Sequence, residues 1–119
     1  MGTWDAGPFH NDAAMDFVGE HVDGLMTVLD AFLDEPEIDE TFDEAFAALA
    51  LLNGVMAMCS ARPWDAEASA VRDPAPIRAA FLACYDEQID GMMPDPDFKR
   101  VHREKLVEQL DRFDAFLAP

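Results

Sequence analysis

The chain has 119 residues, of which 50% are hydrophobic, enough to bury the core of one ordinary domain but too few for two. Eight Lys and Arg against 25 Asp and Glu give a net charge of −17 at pH 7. Nucleic-acid phosphates and anionic lipid headgroups are bound through Lys and Arg, so this balance argues against nucleic-acid and membrane-surface partners.

The N-terminal segment, residues 1–11, is expected to form a hook that folds back onto the helices. Trp4 and Phe9 flank a Gly-Pro pair in this segment, which favours a turn between two apolar anchors. Asn11 or Asp12 then offers a side chain that can accept a hydrogen bond as the N-cap of a helix.

The first helix is predicted over residues 12–33, because apolar residues recur there at spacings of three and four. These apolar positions are Ala14, Phe17, Val18, Val22, Leu25, Val28, Leu29, Phe32 and Leu33. The opposite side carries a row of carboxylates, namely Asp16, Glu20, Asp23, Asp30 and Asp34. Like charges at this spacing repel by about 0.2–0.5 kcal/mol per pair, so the row must be either tolerated or used.

An acidic connector follows over residues 34–44, where seven of eleven residues are Asp or Glu. Thr41 and Glu44 have the spacing of a capping box, which predicts a second helix over residues 41–60. From residue 45 onward this helix is apolar nearly all round, which is typical of a central helix covered on most sides.

Two further helices are predicted over residues 74–91 and 96–117, each beginning with an Asp-Pro pair that combines an N-cap with a first-turn proline. Their apolar residues are Ile77, Phe81, Cys84, Tyr85 and Ile89 in one helix, and Phe98, His102, Leu106, Leu110, Phe113 and Leu117 in the other. Four helices joined by short connections predict an all-α, single-domain antiparallel four-helix bundle with an N-terminal hook.

The sequence predicts no catalytic, cofactor-binding or metal site. The Glu-x-x-His pairs of di-iron bundles are missing, and Cys59 and Cys84 lie in apolar helical surroundings that favour buried free thiols. His10 and His21 lie close in sequence to the first-helix carboxylates, which leaves a metal-dependent or hydrolytic enzyme as an alternative hypothesis.

The last helix carries a basic run, consisting of Lys99, Arg100, Arg103 and Lys105. This run has two interpretations. It either contacts an acidic partner, or it neutralises the acidic connector or the first-helix carboxylates across the bundle. The second interpretation is favoured, because the chain has only eight basic residues in all.

The opening residues resemble a known family. The positions that carry the resemblance are Met1, Gly2, Trp4, Gly7, Phe9, Asn11, Asp12, Ala14, Asp16 and Phe17. They are similar to the start of the bacterial family catalogued as domain of unknown function 4259, although Asp5 stands where that family usually has Gly. The resemblance implies a small bacterial helical domain and no established activity. Its candidate motif residues are Trp4, Phe9, Asn11, Asp12 and Asp16. Structural roles, in which they anchor the segment or cap the helix, are favoured over a chemical role.

The leading functional hypothesis is a non-enzymatic interaction module, similar to an inhibitor or immunity protein, that meets a basic protein partner. Its candidate face consists of Asp16, Glu20, Asp23, Asp30, Asp34, Glu35 and Glu37. A homodimeric structural protein, whose charge serves only solubility, is a further alternative, and the acidity also fits compositional bias. The longest apolar run has eight residues and no basic residue precedes Arg62, which together indicate a cytoplasmic protein without a membrane span.

Overall fold

The computed structural model describes residues 7–9, 11–59 and 74–117. Within these ranges the chain forms four α-helices and a short 3₁₀ turn, with no strand, and the helices pack against one another. The helices are α1 (Asp12–Asp34), α2 (Glu40–Met58), α3 (Pro74–Gln88) and α4 (Pro96–Leu117), and the 3₁₀ turn is Ile89–Met92. The predicted all-α bundle is therefore confirmed. The predicted roles of Trp4, His10 and Asp73 lie outside the described residues.

Capping side chains begin α1 and α4 as the sequence predicts. The Asn11 side chain accepts a hydrogen bond from the backbone N–H of Ala14 at 2.8 Å. The Asp95 carboxylate accepts from the N–H groups of Asp97 and Phe98 at 2.9 and 3.3 Å. Both caps satisfy N–H groups that have no acceptor within their own helix.

The start of α2 differs from the prediction. The N-cap is Asp39, whose carboxylate accepts from the N–H of Thr41 at 2.8 Å, so Thr41 lies inside the first turn. The predicted capping box of Thr41 and Glu44 is wrong, because Asp caps a helix at least as well as Thr and stands two residues earlier.

The end of α3 also differs from the prediction. The helix was expected to continue to Gly91, but its α-helical hydrogen bonding ends at Gln88 and the chain tightens into the 3₁₀ turn. The chain reverses at Met93, which has the left-handed φ of 52° usually taken by glycine after a helix. Pro94 follows and prevents the helix from continuing.

Successive helices run in opposite directions, but not all neighbours in space are antiparallel. The neighbours α2 and α4 run parallel to each other, as do α1 and α3. α1 packs on α2, α2 on α4, and α4 on α3, while α1 and α3 touch more lightly. Phe42 lies near His102, and Asn53 is hydrogen-bonded to Gln109, so residue numbers rise together along α2 and α4. Two helical hairpins are thus packed together, with α1 diagonally opposite α4.

An aromatic cluster ties the four helices together at the end of the bundle where α1 passes into α2. The cluster consists of Phe32 from α1, Phe42 from α2, Phe81 and Tyr85 from α3, and His102 from α4. The Phe32 ring stacks on Phe81 at 4.6 Å, and the Phe42 ring lies 5.7 Å from Phe81 and 6.3 Å from His102. The four Phe and Tyr side chains are fully buried. Aromatic pairs at these distances and angles stabilise a core beyond the area that they bury.

Two predictions about burial are wrong. Phe17 was assigned to the apolar face of α1, but it is 62% exposed and its ring contacts His21, while Met26 is buried instead. α2 is not covered on most sides, since Leu51 and Met58 are exposed. An apolar pattern identifies which residues could be buried, but the positions of the neighbouring helices decide which of them are.

α2 is the one described helix long and apolar enough to cross a membrane, with a mean hydropathy of 1.2 over the window concerned. The core helices of soluble proteins pass the same test. α2 buries six apolar side chains and Asn53 against the rest of the bundle.

Asn53 clamps α2 to α4. Its side chain is 3% exposed, and Nδ2 donates to both the backbone oxygen and Oε1 of Gln109 at 2.9 Å. Oδ1 has no hydrogen-bond partner among the described residues. A buried amide with both donor hydrogens satisfied fixes the register of two helices that an apolar pair would leave free to slide.

Replacing Phe42 with Ala is expected to lower the free energy of unfolding by about 3–5 kcal/mol, because the change leaves a cavity at the centre of the aromatic cluster. Urea denaturation followed by circular dichroism measures the loss. Phe98→Ala is the matched control, since Phe98 is 56% exposed and its removal is expected to cost less than about 1 kcal/mol. Equal losses for the two variants would contradict the central place given to Phe42.

Asn53→Asp is expected to destabilise the protein by about 3 kcal/mol at pH 7, because a buried carboxylate would face the Gln109 carbonyl that now accepts a hydrogen bond. Asn53→Ala removes the same donors without adding charge and should cost about 1–2 kcal/mol. The difference between the two variants should shrink at about pH 4, where the new carboxyl group takes up a proton. A difference that stays constant with pH would contradict this description of the clamp.

Candidate binding site

The predicted acidic residues of α1 and of the connector after it are called here the acidic face. It consists of Asp16, Glu20, Asp23, Asp30 and Asp34 on α1, with Glu35 and Glu37 in the connector. All are exposed except Asp30, which is half-buried. At 1.5 Å per residue the row on α1 is about 27 Å long.

Asp30 is the residue of the acidic face whose ionised form is least favourable. Burial raises the pKa of its carboxyl group above the ordinary value, and the charge of Asp34 one turn later raises it further. Both effects oppose ionisation, so keeping Asp30 charged at neutral pH costs stability.

Three residues of the basic run are paired with carboxylates in their own half of the chain, and Lys105 takes part in no ion pair among the described residues. The pairs are Lys99–Asp90 at 2.6 Å, Arg100–Glu104 at 3.3 Å and Arg103–Asp86 at 2.9 Å. The expectation that this run neutralises the connector or the first-helix carboxylates is therefore wrong. α4 lies diagonally opposite α1, and carboxylates of α3, the 3₁₀ turn and α4 itself are nearer.

Every ion pair among the described residues lies within α3, the 3₁₀ turn and α4. The strongest geometry is that of Arg103, whose Nε and Nη2 donate to the two oxygens of Asp86 at 2.9 Å each. These hydrogen bonds hold the pKa of Asp86 below its ordinary value. In the part of the chain that the structure describes, no cation pairs with the acidic face.

A cleft of about 630 Å³ opens beside the aromatic cluster, between the connector, the 3₁₀ turn and the first turns of α2 and α4. It is called here the connector cleft. Its rim carries the carboxylates of Asp39, Glu40 and Asp43. Its walls include Ile38, Phe42, Ile89, Met92, Phe98 and His102. A volume of this size with apolar walls and a few polar groups is typical of ligand sites.

Gln88 holds the connector against the end of α3. Its Oε1 accepts a hydrogen bond from the N–H of Ile38 at 2.9 Å, and its Nε2 donates to the carbonyl of Pro36 at 3.1 Å. Because Ile38 and the adjoining Asp39 line the connector cleft, these two hydrogen bonds fix the position of one wall. Gln88 was not singled out from the sequence, since its partners lie about 50 residues away.

His102 is held in a defined orientation inside the cleft. The Tyr85 hydroxyl donates to the carbonyl of Lys99 at 3.1 Å and lies 3.2 Å from His102 Nδ1. Because the hydroxyl proton is engaged with that carbonyl, the hydroxyl oxygen serves as the acceptor toward Nδ1. The ring stacks on Phe46 at 5.8 Å and lies tilted at 4.9 Å from Phe98.

Burial raises the pKa of the Tyr85 hydroxyl, although the charges of Lys99 and Arg103 oppose this shift. Tyr85 therefore stays protonated at neutral pH and keeps its role as donor. The sequence had placed His102 among the apolar positions of the last helix. The sequence had not indicated the connector cleft. The one signal available for it was the four-residue spacing of Phe98 and His102, which places both rings on the same side of α4.

Metal-ligating and nucleophilic side chains do not converge in the described part of the chain. No group of three or more His, Cys, Asp or Glu side chains there could hold a metal ion. His21 is exposed and lies 4.6 Å from the Phe17 ring. Cys59 and Cys84 are free, and burial raises the pKa of both thiols.

The motif residues that resemble a known family occupy structural positions where the structure describes them. Phe9 is half-buried and packs against the core, and Asn11 caps α1. Asp12 and Asp16 are exposed in the first two turns of α1, near its positive end.

Comparison with known proteins gives one match. A family model described as "Domain of unknown function (DUF4259)" matches residues 2–114, which is nearly the whole chain and confirms the resemblance of the opening residues. No curated protein and no solved structure matches the chain.

Asp30→Asn is expected to stabilise the protein at pH 7 by about 0.5 kcal/mol, because it removes a half-buried charge that repels Asp34. The gain should be present above the raised pKa of Asp30 and disappear below about pH 3.8, where the carboxyl group is protonated in both folded and unfolded chains. Thermal unfolding of both proteins from pH 3 to 8 measures it. Glu37→Gln, an equal change of charge in the exposed connector, should give a smaller gain, and a larger one would contradict the argument.

Proposed function

We propose that this chain, which belongs to the family described as "Domain of unknown function (DUF4259)", is a non-enzymatic interaction module that binds a basic protein partner. The acidic face is the surface that would meet the partner. This mode of action resembles that of small inhibitor or immunity proteins, which act by covering a surface of another protein.

One observation supports this proposal above the others, namely the segregation of ion pairs. Six of the eight carboxylates in α3, the 3₁₀ turn and α4 are paired with Lys or Arg, whereas in the described residues none of those in the acidic face is. Net charge of any distribution serves solubility. A single-sign surface on one side, opposite a neutralised side, gives in addition a direction to electrostatic attraction.

The size and cost of the acidic face support the same proposal. A row of about 27 Å matches the width of a standard interface, which buries about 800 Å² on each partner. Asp30 keeps a charge against both burial and Asp34, so the face is retained at some expense of stability. Charged surfaces of this kind speed association and make it depend on salt.

Capture of basic proteins tests the proposal. The full-length protein, immobilised, is expected to retain basic proteins from a bacterial lysate at about 50 mM salt and to release them at about 500 mM, where the Debye length is only a few ångströms. The variant Asp16→Asn/Glu20→Gln/Asp23→Asn should lose this capture, because it removes three charges from the acidic face.

The matched control is Glu104→Gln/Glu108→Gln/Asp111→Asn, which removes the same charge from α4 and disrupts only exposed ion pairs. It should capture as the native protein does. Equal loss in both variants would show that total charge, not its location, determines binding. Capture that does not respond to salt, or no capture at all, would contradict the proposal outright.

A further inference from the structure

We infer that the connector cleft binds the guanidinium side chain of an arginine carried by the partner protein. The inference rests on the proposed function, because it names the subsite and the residue type through which a basic partner would be anchored. It is carried by three independent features of the cleft, namely its volume, the exposed ring of Phe98 and its acidic rim.

The walls of the cleft fit a side chain that is apolar along its stem. Phe98 and Met92 both line the cavity and are 56% and 63% exposed. A ligand in the cleft would therefore bury apolar surface of two large side chains. Methionine adapts its shape to a ligand and covers an aliphatic stem well. The volume of about 630 Å³ admits an arginine side chain together with the backbone that carries it.

The ring geometry favours a planar cation. The Phe98 ring lies 4.9 Å from the His102 ring, tilted by 38°, and it is 56% exposed, so part of its aromatic surface is open to a ligand. Guanidinium groups stack on such faces and gain from the negative charge above the ring. The Tyr85 hydroxyl lies 3.2 Å from Nδ1 of His102, and this contact holds the His102 ring in place beside Phe98.

The rim supplies the opposite charge. Asp39, Glu40 and Asp43 line the cleft, and none of them takes part in an ion pair among the described residues. The positive ends of α2 and α4, each worth about half a charge, offset these three carboxylates only in part. The nearby Lys99 amino group is held by Asp90 at 2.6 Å. A fork of N–H donors is the group that carboxylates bind with two parallel hydrogen bonds, and arginine carries it where lysine does not.

Titration of the isotope-labelled full-length protein with a blocked Gly-Arg-Gly peptide, followed by amide chemical shifts, tests the inference. We expect saturable shifts at residues 38–43, 89–93 and 98–102, with a Kd of about 1 mM. The same peptide with citrulline, which keeps the shape and loses the charge, should bind at least tenfold more weakly. A lysine peptide should bind severalfold more weakly than the arginine peptide.

Variants locate the binding. Phe98→Ala and Met92→Ala alter exposed side chains, keep the fold, and should each weaken binding about fivefold or more. Asp43→Asn should weaken it as well. Glu20→Gln removes one charge from the acidic face and should leave the Kd unchanged, which separates the cleft from general attraction.

Four outcomes would overturn the inference: no saturable shifts at the cleft, equal binding of the citrulline peptide, unchanged affinity in Phe98→Ala, or tenfold tighter binding of agmatine. The last would identify a small free guanidinium compound, not a protein side chain, as the occupant. If capture of basic proteins fails while the arginine peptide binds, the proposed function is wrong, but the cleft is still a binding site for arginine. If capture succeeds and the peptide does not bind, the proposed function stands and only the inference about the cleft is wrong.

Discussion

The contact of Phe42 with rings from the other helices is the interaction on which the rest of the structure depends. At the connector end of the bundle Phe42 contacts the rings of Phe32, Phe81, Tyr85 and His102. One buried residue of α2 therefore contacts the three other helices. Rings packed at fixed angles permit few alternative arrangements. The cluster therefore sets the spacing of the helix ends around it, and that spacing produces the connector cleft.

Charge is organised on a larger scale than the cluster. The hairpin of α3 and α4 pairs most of its carboxylates with Lys or Arg, as in Arg103–Asp86, while the hairpin of α1 and α2 carries carboxylates without a cation in the described residues. Exposed pairs add little stability, so the segregation matters less for folding than for the field around the protein. The connector cleft lies where the two hairpins meet, on the acidic side of that boundary.

Local sequence signals predicted most of the fold, and long-range placement accounts for what they missed. Asn11, the two Asp-Pro pairs and the apolar spacing of α3 each act within a few residues, and they identified four helices. Asp39 and Thr41 were both candidate caps for α2, and the earlier residue, Asp39, is the one that caps it. Phe17, Gln88 and the partners of the basic run depend on which helices become neighbours. The acidic face could be read from the sequence, but the cleft needs four segments brought together.

Gln88 has a consequence for how the bundle opens. The Ile38 amide belongs to a connector outside any helix, where backbone N–H groups commonly exchange with water within seconds, yet it is bonded to a side chain at the end of α3. Its hydrogen can exchange only when the Gln88 side chain releases it, either by rotating away or because the two hairpins separate at that end. The protection of this one loop amide therefore reports how often the connector is released from the end of α3.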